Sequence, residues 1–211
     1  GHAPRSYTGG LVALGAKDWV ISDNVFHDIR VPPSDKRAHA TAILFRRATE
    51  GTVVRRNTLV NVGSGIRIGL QDGTHGTGWI YNNRVHAVRD VGISLEQARG
   101  VTVAHNVVWA ARYPNAIEFR FANSDNNRIA NNIVFGTIKR RDGGRAHVSH
   151  NLKHAAPRWF LNPHDGELAF RDVPVHRIKD KGVPLEGVKT DGNCRPRRRG
   201  RAPDLGPVEF G

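Results

Sequence analysis

The chain has 211 residues, enough for one domain with a sizeable core, and its 32 Lys+Arg against 19 Asp+Glu give a formal net charge of +13. That balance points to polyanionic partners: acidic polysaccharide, nucleic acid or an anionic membrane surface. No run is long and apolar enough to span a bilayer, so membrane insertion is not expected, and the single Cys194 excludes an internal disulfide.

In chain order, two kinds of short segment alternate. The first reads LVAL at 11–14, ILFR at 43–46, IRIG at 66–69, ISLE at 93–96 and IEFR at 117–120. Its first and third residues are apolar throughout, and side chains alternate across a strand, so the second and fourth residues are expected to point outward. The second segment is built around an asparagine: Asn24, Asn57, Asn83, Asn106, Asn132 and Asn151, at steps of 33, 26, 23, 26 and 19 residues. A β-branched residue (Ile21, Val54, Ile80, Val103, Ile129, Val148) precedes each by three, and an apolar residue follows by two, except at Lys153. Period-two alternation predicts strands, and self-similarity at a period in the twenties predicts a solenoid. The leucines of a helical leucine-rich repeat are absent.

Each coil thus holds three short strands, and this pattern resembles the right-handed parallel β-helix of the pectate-lyase-like superfamily over roughly residues 7–156. The expected fold is all-β: a right-handed parallel β-helix of five full coils and a partial sixth over 1–156. An irregular C-terminal capping or packing segment follows over 157–211. The resemblance implies that the asparagines form a stacked ladder at the tight bend between second and third strands. Asparagine tolerates a left-handed backbone, and coils about 4.8 Å apart let identical amides bond along the stack. The repeat already runs at 11–14, the chain lacks methionine and it begins at Gly1, so further sequence upstream is expected, a secretion signal included; no signal peptide is visible. A bare first coil would be an exposed edge open to oligomer formation.

After residue 156 the register is lost. Trp159, Phe160, Leu161, Leu168 and Phe170 are expected to cover the open end of the stack or to run back along one side. The end, DGNCRPRRRGRAPDLGPVEFG, resembles the D-G-x-x-R-P…P-D-I-G-A-x-E signature of bacterial extracellular β-helix proteins, with Pro207 and Val208 departing from it. That likeness implies an extracellular, cell-surface or periplasmic setting. Arg195, Arg197, Arg198, Arg199 and Arg201 read as a solvated linker, and nucleic-acid binding through them is disfavoured.

In the family, substrates lie along the outward face of the first strand. Here its second-residue column is Val12, Leu44, Arg67, Ser94 and Glu118; its fourth is Leu14, Arg46, Gly69, Glu96 and Arg120. Loops add Lys36, His39, Asp72, His75, Arg89, Arg112 and Tyr113. A lyase that breaks a uronic acid polymer by β-elimination needs a cation to neutralise the carboxylate, a base and an acid. Arg120, Glu118, Arg67 and His39 are the candidate catalytic residues, and Arg46, Glu96, His75 and Tyr113 the candidate substrate contacts. NAIEFR resembles the Glu-x-Ile-Arg strand of alginate and chondroitin lyases with this fold, through Glu118 and Arg120. The R-x-P-x-x-R element of pectate lyases is not met, because Ile117 stands where the second Arg belongs. Ca²⁺ is the metal such lyases suggest, but no cluster of Asp ligands stands on the face, and no metal ligands are assigned. Glu96 and Glu118, one coil and two residues apart, would lie about 8 Å from one another, a spacing an inverting hydrolase allows. The N-x-D and D-D elements of polygalacturonases are missing. The bland alternative pairs Glu96 with Arg120 as a surface ion pair. His27, His86, His105, His147, His150 and His154 read as turn and surface residues. The expected function is engagement of an acidic polysaccharide, either as a lyase or as a non-catalytic binding or structural module.

Overall fold

The computed structural model describes residues 7–32, 34, 39–69, 74–197 and 199–210. Its first coil is β1 (Tyr7–Leu14), β2 (Val20–Ser22) and β3 (Val25–His27). The second is β4 (His39–Arg46), β5 (Thr52–Arg55) and β6 (Thr58–Val62); the third is β7 (Ser64–Gly69), β8 (Gly78–Tyr81) and β9 (Arg84–Ala87). The fourth is β10 (Ile93–Glu96), β11 (Val101–Ala104) and β12 (Val107–Ala110); the fifth is β13 (Asn115–Arg120), β14 (Asn127–Ala130) and β15 (Ile133–Val134). The sixth adds β16 (Thr137–Arg141) and β17 (Ala146–Ser149). Each strand pairs in parallel with its counterpart one coil away, giving sheets of six, six and five strands. This is the parallel β-helix the repeat predicts.

The strand β16 has no counterpart in the sequence reading. Its third outward-inward step places Arg140 where the five earlier coils hold an apolar residue, so the pattern hides it. The inward columns are otherwise as expected. Ile43, Ile66, Ile93 and Ile117 are fully buried one above another, as are Phe45, Ile68 and Leu95. Each such side chain contributes about 1.5–3 kcal/mol by leaving water. At the first coil the stack ends, and Val12, Leu14, Trp19, Val20 and Val25 are 45–71 % exposed.

The six asparagines form the ladder. Asn106 Nδ2 donates to Asn132 Oδ1 (2.9 Å) and to the Ile80 carbonyl (2.9 Å), while its Oδ1 accepts from Asn83 Nδ2 (3.0 Å) and the Asn83 N–H (2.9 Å). The same contacts recur from Asn24 to Asn151. One expectation is corrected. The left-handed residue of the bend is not the ladder asparagine but the one before it: Asp23, Arg56, Asn82, His105, Asn131 and His150, with φ between 48° and 61°. The ladder position demands an amide that donates and accepts along the stack, not a special backbone.

The C-terminal segment runs back along the side of the helix. A hairpin of β18 (Phe160–Asn162) and β19 (Glu167–Phe170) lays Trp159, Phe160 and Leu168 on Val107 and Ile133 of the third sheet. Leu161 departs from the expected set and is 45 % exposed. Leu185 and Val188 then cover Tyr81 and Ala104 of the second sheet. Between these patches the strap grips the left-handed residues of the bends. Asn131 bonds both the N–H and the carbonyl of Val183 (2.9 and 2.8 Å), Asn82 donates to the Thr190 carbonyl (2.9 Å) and His105 Nδ1 meets the Asp204 carbonyl (3.1 Å).

The terminal signature is the clasp of this strap. Asp191 accepts the N–H groups of Asn193, Arg195 and Glu209 (2.8, 2.8 and 3.0 Å). Asp204 accepts those of Asp180 and Phe210 (2.7 and 2.6 Å), and Glu209 accepts that of Asp204 (3.0 Å). Arg197 is not part of a solvated linker: it is buried, donates to Glu209 Oε1 (2.9 Å) and the Gly206 carbonyl (3.1 Å), and bonds Asn82. Arg195, Arg199 and Arg201 are exposed, and Arg198 lies outside the described residues. His86 and His105 likewise correct the surface reading, since both are buried. Burial drives His105 well below the usual imidazole range, with the Arg197 charge adding to it.

Candidate functional site

The outward columns of the first sheet fall in the expected register. Leu44, Arg67, Ser94, Glu118 and Lys139 are stacked neighbours, and so are Glu96, Arg120 and Arg141. Outward does not mean exposed here: Leu44, Ser94, Glu96 and Glu118 are all buried.

Two clusters occupy the face. In the first, Arg67 Nη1 lies 3.4 Å from Glu96 Oε1 and Nη2 bonds Asp90, while Ser94 Oγ donates to Glu96 Oε1 (2.8 Å). Gly69 permits this packing. Its φ is +88°, and a Cβ there would sit 1.5 Å from the Glu96 carbonyl oxygen, so only glycine fits. In the second, Glu118 Oε1 accepts from the Tyr113 hydroxyl (2.8 Å), Asn115 Nδ2 (2.6 Å) and Arg141 Nη1 (3.3 Å). Arg120 turns to Asp142, with Nε and Nη2 at 2.8 and 2.7 Å from Oδ2, and stays 4.0 Å from Glu118 Oε2. The expected Glu96–Arg120 pair is therefore replaced by Glu96–Arg67 and Arg120–Asp142.

The vertical order of charge matters. The Glu96 and Glu118 side chains are 5 % and 3 % exposed, against 25 % for Arg120 and 37 % for Arg141. Glu96 and Glu118 form the floor, Arg120 and Arg141 lie above them with the exposed Lys139 alongside, and Asp90 and Asp142, 34 % and 40 % exposed, stand at the rim as partners of Arg67 and Arg120. Burial, reinforced by the Glu118 hydrogen bond and charge, raises Tyr113 above its ordinary value. The Glu118 charge raises Arg141.

The structure thus brings Arg67 and Glu96 together, and separately Glu118, Arg120 and Tyr113. It does not bring in His39, Arg46 or His75. His39 and Arg46 begin and end β4, three coils from Glu118, or about 14 Å at the usual strand spacing. His75 is inside the helix. Its ring nitrogens meet Thr49 Oγ1 (2.5 Å) and Thr52 Oγ1 (3.2 Å), its ring packs edge-on to Phe45, and burial lowers it to about 4. Lys36 and Asp72 lie outside the described residues, while Arg89 and Arg112 border a different groove. Sequence reasoning missed Asp90, Asn115, Lys139, Arg141 and Asp142. The last three go with the undetected β16 and the turn after it.

Calcium does not suit this donor set. Asp90, Glu96, Glu118 and Asp142 each bond a guanidinium, and among the described residues no three His, Cys, Asp or Glu side chains gather as a metal group. No helix of the described residues is long and apolar enough to cross a membrane. A family model described as a right handed beta helix region matches residues 9–152. No curated protein and no solved structure matches the chain.

Proposed function

The chain belongs to the right-handed β-helix family, and from that premise we propose that it binds an acidic polysaccharide along the outward face of the first sheet. The observation that carries this reading is the layering of charge: buried Glu96 and Glu118 below, and Arg120, Arg141 and the exposed Lys139 above them. A uronate carboxylate approaching this end finds the Arg120 and Arg141 guanidiniums and the exposed Lys139, and guanidinium matches carboxylate in a bidentate fork. The net charge of +13 would draw a polyanion to the surface. This reading carries with it a setting outside the cytosol, at the cell surface or in the periplasm, which the C-terminal signature also suggests by resemblance.

A second reading, β-elimination, is favoured by Tyr113. Its phenol hydroxyl lies 2.8 Å from Arg141 Nη1 and donates to Glu118 Oε1, and a phenol next to a carboxylate-neutralising guanidinium suits donation to a leaving oxygen once it turns from Glu118. The hydrolase reading is weaker, because Oε1 of both candidate carboxylates is engaged by two or three donors.

The test is titration of the protein with pectate, alginate and a neutral glucan while ultraviolet absorbance follows any unsaturated product. Binding of the uronates alone, weakened about tenfold by Lys139→Ala/Arg141→Ala, supports the proposal. Equal affinity for the neutral glucan, or an indifferent double variant, overturns it. Product absorbance that Tyr113→Phe abolishes would raise the binding surface to a lyase.

A further inference from the structure

The third sheet also has an outward column: His86, Trp109 and Phe135 are stacked coil upon coil, and His27 and Val60 pair in the first two coils before the register shifts. Its Phe135 end is covered by the strap. Beside His86 and Trp109 a groove of about 980 Å³ opens between this sheet and the loops that lead back to the first sheet. Those loops separate it from the first-sheet face.

The groove is cationic. Arg30 leaves the first coil, Arg89 the third and Arg112 the fourth, and all three line it, with Asp28 as the single carboxylate among the described lining residues. Three coil steps separate Arg30 from Arg112, about 14 Å at the usual spacing. Arg112 is exposed and makes no hydrogen bond or ion pair with a described residue. At the other end Arg30 holds Asp28 (3.3 Å) and Asn61 (3.4 Å), and Asn61 bonds Asp28. This end therefore presents a carboxylate and an amide together, groups that bond hydroxyls. Asp28 is paired with Arg30 as the acids of the first-sheet face are paired with their cations, while Arg112 at the far end is not.

The apolar wall narrows the choice of ligand. Trp109 is stacked on Phe135 on one side (4.5 Å, 8°), and His86 lies 5.4 Å away in the same column, one coil before it. His164 of the strap meets the indole edge-on at 5.1 Å. The indole faces are taken by its column neighbours, so the groove is offered an edge rather than a platform. Single-stranded nucleic acid binds through free aromatic faces on which bases stack, and this groove lacks that. An apolar edge with Val88 and Ala111, cations stepping along the wall and hydroxyl-bonding groups at one end suit a sugar that carries carboxylates. The volume stands at the upper end of the ~300–1,000 Å³ typical of small-molecule sites, enough for a short oligomer.

We propose that this groove is a second carbohydrate site, built for a carboxylated oligosaccharide that lies across the coils with its carboxylates on Arg30, Arg89 and Arg112. It does not depend on the first-sheet reading, and the two fail separately. The probe is a short oligogalacturonate, with its fully methyl-esterified form as a charge-free control, titrated calorimetrically into the whole protein. Two double variants are compared, Arg30→Ala/Arg112→Ala in the groove and Lys139→Ala/Arg141→Ala on the face, with circular dichroism to confirm that each is folded. The expected result is binding of the acid and not the ester, with affinity or stoichiometry lost in the groove variant and a groove contribution kept in the face variant. If the face variant binds as the wild type does and the groove variant not at all, the groove stands and the first-sheet proposal falls. The groove proposal is overturned if the groove variant binds like the wild type, if acid and ester bind alike, if a single-stranded oligonucleotide of matched charge binds as tightly, or if the wild type does not bind.

Discussion

The asparagine bend and the first-sheet face lie on the same coils and solve the same problem, buried polar groups, in opposite ways. Along the asparagine ladder the side chains are neutral and are answered along the stack by the next amide or by backbone, as around Asn106. On the face the buried carboxylates are charged, and each is answered by an unlike neighbour: Glu96 by Arg67 of the coil before, Glu118 by Tyr113 of its own coil and Arg141 of the coil after. A neutral ladder repeats without regard to sequence between its rungs, so it identifies the fold. A charge network is a local arrangement in which any member can be redirected to a ligand. The bend is therefore scaffold, and the face is where binding can be built.

The strongest way to break this contrast is to attack charge on the scaffold side. Arg197 and Glu209 form an ion pair whose side chains are 4 % and 1 % exposed, in the clasp that fastens the strap to the bends. Arg197→Ala strands Glu209 in the interior and is expected to cost about 3–5 kcal/mol, read from urea denaturation. Arg197→Met/Glu209→Gln removes the stranded charge, keeps an acceptor for the Asp204 N–H and should recover most of the loss. A cost below about 1 kcal/mol for the single variant would put this pair on a par with exposed ones and remove the distinction between clasp and face.

A third polar stack sharpens the contrast with pH. His75 lies between Thr49 and Thr52 inside the helix, and burial lowers its pKa from 6.5 to about 4. Between those values the unfolded chain binds a proton that the folded chain refuses. Stability is therefore complete above about pH 6.5, falls as pH drops toward 4 and levels off below, a loss of about 3 kcal/mol at ~1.36 kcal/mol per pH unit. His75→Gln keeps a polar partner for the threonines and should flatten this slope. His86 and His105 are lowered by burial too, so a residual slope remains. An unchanged slope in the variant would mean that His75 takes up its proton while folded.

How much of this was legible in the sequence follows from the same contrast. The ladder repeats, so Asn24 to Asn151 could be aligned without a structure, and the inward isoleucines followed from alternation. The left-handed residue was misplaced by one because asparagine suits either role, and at Asn82–Asn83 and Asn131–Asn132 both positions hold it. Arg67, Glu96, Glu118 and Arg120 were placed on the right face by parity alone. Their partners were not legible: Asp90 and Asp142 sit in turns where no periodicity runs, and a side chain as long as Arg120 chooses among several carboxylates by packing. His75 reads as a loop residue bordering the face, although the threonines that hold it inside lie on the preceding coil.

The smallest effect on stability is expected on the face itself. Arg120 binds Asp142 with side chains 25 % and 40 % exposed, and such a pair contributes about 0–1 kcal/mol. Arg120→Ala should therefore leave the denaturation midpoint almost where it was. Binding is another matter, because releasing Asp142 lets the Arg120 guanidinium form a charge-assisted bond to a uronate. Losing that bond weakens polyuronate about tenfold. Asp142→Asn separates the two roles: it frees Arg120 from its ion pair without removing it, so affinity should rise while stability again stays put. If both variants lower stability and neither moves affinity, the face is scaffold like the bend, and the division of labour between the two flanks of the coil does not hold.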